Sequence, residues 1–166
     1  MEDKKTSKKK SALDAAADYL SYRMRTCAEV IKKLKDKGYS DDEIDEAIEQ
    51  LKSLKYLDDY EYAFRYFQYS SSKHHGARRA ERELSDKGIP SETIALAYED
   101  YIYESKVDEY EEALELARKE VELKGIAPDD RMIARVARKL ESRGFRADDI
   151  YRVMSEMRTW RDTTER

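Results

Sequence analysis

Apolar positions along this chain recur every three to four residues and never in a run of strict alternation. Cys27, Val30, Ile31 and Leu34 form one such stripe, and Ile133, Val136, Ala137 and Leu140 form another. Ile44, Ile48 and Leu51 sit at i, i+4 and i+7, as do Ile94, Tyr98 and Tyr101, and then Ile150, Met154 and Met157. Side chains at this spacing share one face of a helix, so the pattern predicts amphipathic α-helices. Further helices are expected over about Leu13 to Tyr22, Asp59 to Ser72 and Asp108 to Lys124. Gly (5) and Pro (2) are too scarce for the frequent turns of a strand-rich fold.

The stripes belong to a repeat. KKLKDKGYSDDEI ending at Ile44, ERELSDKGIPSETI ending at Ile94 and ARKLESRGFRADDI ending at Ile150 align on Gly38, Gly88 and Gly144. A leucine stands four residues before each glycine (Leu34, Leu84, Leu140), and Tyr39, Ile89 or Phe145 directly follows it. If each glycine is the left-handed residue that ends a helix, these two apolar side chains make the contact that accompanies a Schellman stop. Lys37, Lys87 and Arg143, just before the glycines, complement the negative end of the helix dipole.

Start signals agree. Thr26 with Glu29 and Ser40 with Glu43 read as capping boxes, each worth about 1 kcal/mol. Asp58 with Glu61 and Asp108 with Glu111 read as acidic variants, and Pro90 suits a first helical position. The chain is therefore expected to be all-α: nine helices in three tandem three-helix, helix-turn-helix-like repeats, stacked into an elongated, curved array. The expected boundaries are a disordered basic tail over 1–11, repeats over 12–57, 58–104 and 105–160, and a C-terminal tail over 161–166.

Charged residues make up 42% of the chain, with a net charge of −4, so bulk attraction to nucleic acid is not expected. The charge is segregated instead. Cations concentrate between Arg23 and Lys37, between Lys73 and Lys87, and between Arg131 and Arg146, while 41–49 and 108–122 are acidic. Arg131, Arg135 and Arg138 fall on one helical face opposite Ile133, Val136 and Leu140. A basic face repeated in three units suits a phosphate backbone or an acidic protein surface. The plainer alternative is a solvated face balanced by acidic neighbours.

No catalytic, cofactor-binding or metal-binding pattern is present: there is no phosphate loop, GxGxxG or HExxH. His74 and His75 are adjacent and, on a helix, would point apart, so they nominate no metal site. Cys27, the single cysteine, falls on an apolar stripe and reads as a buried structural thiol of a reducing cytoplasm. No stretch is long and apolar enough to span a bilayer, and MEDKKTSKKKS lacks the apolar segment of a secretory signal. Of the thirteen tyrosines, Tyr56, Tyr60, Tyr62, Tyr66, Tyr69, Tyr98, Tyr101 and Tyr103 gather around the middle unit, where packing with Phe64 and Phe67 is expected.

Several segments together resemble one family. YLSYRMRTCAEVIKKLKDKGY (Tyr19 to Tyr39), YLDDYEYAFRYF (Tyr56 to Phe67), GARRAERELSDKGI (Gly76 to Ile89) and RKLESRGFRADDIYRVM (Arg138 to Met154) are similar to segments of the RecX family. The resemblance implies a regulator that binds RecA filaments on DNA and modulates, usually inhibits, their ATPase and strand exchange in recombination, repair and the SOS response. The chain is also expected to be a monomer and, lacking catalytic motifs, not an enzyme. The resemblance further implies a role for Arg23, Arg25 and Lys33 in the first unit and Arg78, Arg79 and Arg82 in the second. Arg135, Arg138 and Lys139 are the third-unit candidates for contact with RecA or with single- or double-stranded DNA. A stand-alone tandem helix-turn-helix DNA-binding protein, or a helical interaction scaffold, is the competing expectation.

Overall fold

The computed structural model describes residues 10–164 and contains nine helices and no strands among them. They are α1 (Ala12–Leu20), α2 (Cys27–Asp36), α3 (Asp41–Ser53), α4 (Asp59–Ser72), α5 (Ala77–Asp86), α6 (Ser91–Ser105), α7 (Glu109–Lys124), α8 (Asp130–Arg143) and α9 (Ala147–Thr164). The tail expected over 1–11 lies, through residue 9, outside the described residues, and Ser11 is the N-cap of α1. Helix α1 stops at Leu20, short of the expected Tyr22, and α9 runs past 160 to Thr164.

The three glycines are in the left-handed region, with φ of 78°, 81° and 85°. Each turn carries the two bonds of a Schellman stop. Tyr39, Ile89 and Phe145 donate their amides to the carbonyls of Leu34, Leu84 and Leu140, and Gly38, Gly88 and Gly144 donate to Lys35, Ser85 and Glu141. Thr26 and Ser40 form complete capping boxes, and Asp58 and Asp108 accept from the first turns of α4 and α7. Pro90 is the N-cap of α6 rather than its first residue, a one-position shift within the usual scatter of helix ends.

Each triplet of helices closes on its own core. In the first, Val30 and Leu34 of α2 meet Ile44, Ile48 and Leu51 of α3 across the alanines of α1. In the third, Met132, Ile133, Val136 and Leu140 of α8 meet Val153 and Met157 of α9 across Ala113, Leu114 and Ala117 of α7. The middle core is aromatic: Phe67 stacks on Tyr101 at 5.9 Å and tilts against Tyr98 at 5.1 Å. Not every tyrosine of that cluster packs fully: Tyr56 and Tyr103 point into solvent, and Tyr69 is half-exposed with its ring 6.0 Å from that of Tyr66.

The two junctions between units are polar and built alike. At the first, Thr26 Oγ1 donates to the Lys87 carbonyl (2.8 Å) and the Cys27 amide donates to Asp59 Oδ1 (2.8 Å). At the second, the Gly76 and Arg78 amides donate to the carbonyls of Arg143 and Gly144 (3.0 and 3.1 Å), and the Ala77 amide donates to Glu109 Oε1 (3.0 Å). The N-terminus of each middle helix thus sits on the C-terminal turn of the next unit's middle helix. At the second junction orphan amides of one end satisfy orphan carbonyls of the other; at the first the Thr26 hydroxyl takes that part, and in both the dipoles run head to tail. Helices α8, α5 and α2 follow one another end to end. Among the described residues, no hydrogen bond or ion pair joins the first unit to the third.

Candidate functional site

The end-to-end order of α8, α5 and α2 places the basic segments one after another. On α8, Arg131, Arg135 and Arg138 are exposed while Ile133, Val136 and Leu140 are buried, so the basic face points outward. Arg78 and Arg82 follow on α5, one turn apart and both exposed. Among the described residues, the side chains of these five arginines make no ion pair. Arg78 and Arg138, from different units, line the same open groove.

The remaining candidates are engaged. Arg79 Nε donates to Glu83 Oε1 (3.0 Å), Lys139 is paired with Glu120, and Arg23 reaches Glu29 at 3.5 Å. Glu120 is held below the usual carboxylate range by the hydrogen bond from Lys139. Arg25 lies over the ring of Tyr19, its Cζ 4.1 Å from the centroid, and Lys33 approaches the same ring at 5.6 Å. Sequence-nominated cations therefore divide into an open row along α8 and α5 and a paired or ring-stacked remainder.

A family model described as RecX, first three-helix domain, matches residues 12–51, which span α1 through most of α3. A regulatory protein RecX of Vibrio campbellii is 34% identical over 148 residues, covering 87% of this chain and 90% of that protein. The chain belongs to the RecX family. RecX of Bacillus subtilis is 32% identical over 149 residues, covering 89% of this chain but 55% of its own length. RecX of Bacillus licheniformis is matched over only 38% of its length, so the chain spans about half or less of these Bacillus relatives. The crystal structure of RecX from Lactobacillus salivarius superposes with a TM-score of 0.75 at 27% identity, over 89% of this chain and 95% of that one.

Among the described residues of this RecX-family chain, no three His, Cys, Asp or Glu side chains are grouped to hold a metal ion. None of its described helices is long and apolar enough to cross a membrane. His74 and His75 lie just past the end of α4. Cys27 is half-buried rather than fully buried, and burial, then Asp59, pushes its thiol up to about 11.

The residues that sequence reasoning missed are those of the junctions. Asp59 and Glu109 open α4 and α7, and each accepts from the first amide of the preceding middle helix. A signal was present: Leu57-Asp58-Asp59-Tyr60-Glu61 recurs as Val107-Asp108-Glu109-Tyr110-Glu111. Glu109 is raised above the ordinary carboxylate range by burial, although Arg146 stands 3.7 Å away. Arg146 also reaches Glu81 of α5 at 2.6 Å and lies over the Tyr98 ring, tying the last two units together.

Proposed function

We propose that this RecX-family chain binds RecA filaments on DNA and inhibits recombinase ATPase and strand exchange. The observation that carries this reading is the row of unpaired arginines, Arg131, Arg135, Arg138, Arg78 and Arg82, along two helices joined end to end. A linear run of cations on an otherwise acidic chain suits a linear, negatively charged target. The family assignment favours a recombinase filament as that target, and in this reading the protein acts in the cytoplasm as a monomer.

The test is the ATP hydrolysis rate of RecA on single-stranded DNA as the protein is titrated in. Suppression well below one copy per RecA supports the reading, and no change over a wide titration rejects it. The arginine row also favours a second reading, direct DNA binding without a partner. In that case affinity for a duplex falls steeply with salt, by a slope set by the phosphates neutralised. A flat salt response rejects it.

A further inference from the structure

The groove that Arg78 and Arg138 share has a floor unlike a nucleic-acid track. It is an open cleft of about 340 Å³. Its floor is Phe145, Ile150 and Met154, with Tyr151 exposed at its edge (70%). A phosphate backbone gains nothing from an apolar floor of this kind. Peptide side chains do, and methionine adapts to their shape. Tyrosine and arginine are the residue types that anchor protein interfaces.

Charge narrows the occupant further. Neighbouring cations are committed, Arg79 to Glu83 and Arg146 to Glu81, whereas Arg78 and Arg138 have no carboxylate partner among the described residues. Glu141 lies on the rim and sets a polarity, since a bound carboxylate is repelled there and drawn toward the arginines. We infer that the groove seats a short acidic peptide segment of a partner protein, its carboxylates on Arg78 and Arg138 and an aromatic or large aliphatic side chain on the Ile150–Met154 floor. This concerns the chemistry of the seat and stands whether or not that partner is RecA.

The experiment uses the full chain and three fluorescein-labelled probes: a random glutamate–tyrosine copolymer, polyglutamate of equal length, and oligo(dT). Anisotropy titrations are expected to show the copolymer binding about fivefold or more tighter than polyglutamate. Tyr151→Ala removes that preference, and Arg138→Glu removes binding of both, with helical circular dichroism unchanged. Equal affinity for copolymer and polyglutamate overturns the inference, as does a preference that survives Tyr151→Ala. Failure of the copolymer to bind also overturns it. Binding of oligo(dT) alone, lost in Arg138→Glu, would make the surface a nucleic-acid track instead. No recombinase is present, so this result is independent of the ATPase test.

Discussion

Gly76 and Gly144 touch backbone to backbone: a Cβ placed on Gly76 would stand 2.4 Å from the Gly144 carbonyl oxygen. The contact lets the start of α5 reach the end of α8, and no side chain fits between them. Gly76 has an ordinary φ of −70°, so its need for glycine is steric rather than conformational.

Gly76→Ala is therefore expected to destabilise the protein by about 1–3 kcal/mol, as overpacking does, and to loosen the second junction. Gly125→Ala is the control. Gly125 has φ of 64° but open space around it, so it incurs backbone strain of about 1–2 kcal/mol without a clash. Urea denaturation measures both costs. Hydrogen exchange at the Gly76 and Arg78 amides should accelerate only in Gly76→Ala.

Thr26 is buried and its hydroxyl serves twice, accepting from the Glu29 amide and donating to the Lys87 carbonyl. Thr26→Ala should cost about 1–2 kcal/mol in urea denaturation, from the lost cap and an unmet carbonyl. Thr26→Ser should recover most of it.

Glu83 is lowered from its ordinary value chiefly by the hydrogen bond from the Tyr66 hydroxyl, at 2.6 Å, with Arg79 assisting. A depressed carboxylate contributes stability above its unfolded pKa and loses it as pH falls through the folded value. Tyr66→Phe should thus lower stability by about 1 kcal/mol at neutral pH. The difference from the unsubstituted protein should vanish as acid protonates Glu83. A gap that persists unchanged at low pH would mean that Tyr66 acts through packing alone.

Charge reversal should separate open cations from structural ones. Arg82→Glu and Arg135→Glu are expected to weaken binding to RecA on single-stranded DNA about tenfold each, with unchanged thermal stability. Lys139→Glu places a carboxylate against Glu120 and should lower the melting temperature instead. Binding assays paired with thermal melts distinguish the two classes.

The repeat was legible because its signals are local. Leu34, Gly38 and Tyr39 lie within one turn and its exit, and their spacing alone requires the Schellman geometry. The pairing of cations was legible only in part: Arg79 with Glu83 is a local i,i+4 pair, whereas other pairings depend on residues distant in sequence. Arg146 and Glu81 are 65 positions apart, and Lys139 meets Glu120 across two helices. The tyrosines fail for a related reason: Tyr62 and Tyr69 occur in one helix, yet only the first faces the core. Periodicity finds the apolar face of a helix, but an aromatic residue beside that face still has to be placed by its neighbours.

The seams also impose an order in time. The column runs α8, α5, α2, opposite to the direction of synthesis, so each of the first two units leaves the ribosome before the surface that completes it. The Thr26 hydroxyl waits for a carbonyl 61 residues downstream, roughly 3 to 12 s at ordinary elongation rates. Gly76 waits in turn for Arg143 and Gly144. A chain interrupted after either of its first two units would carry, at its newest end, a middle helix whose leading amides have no seat.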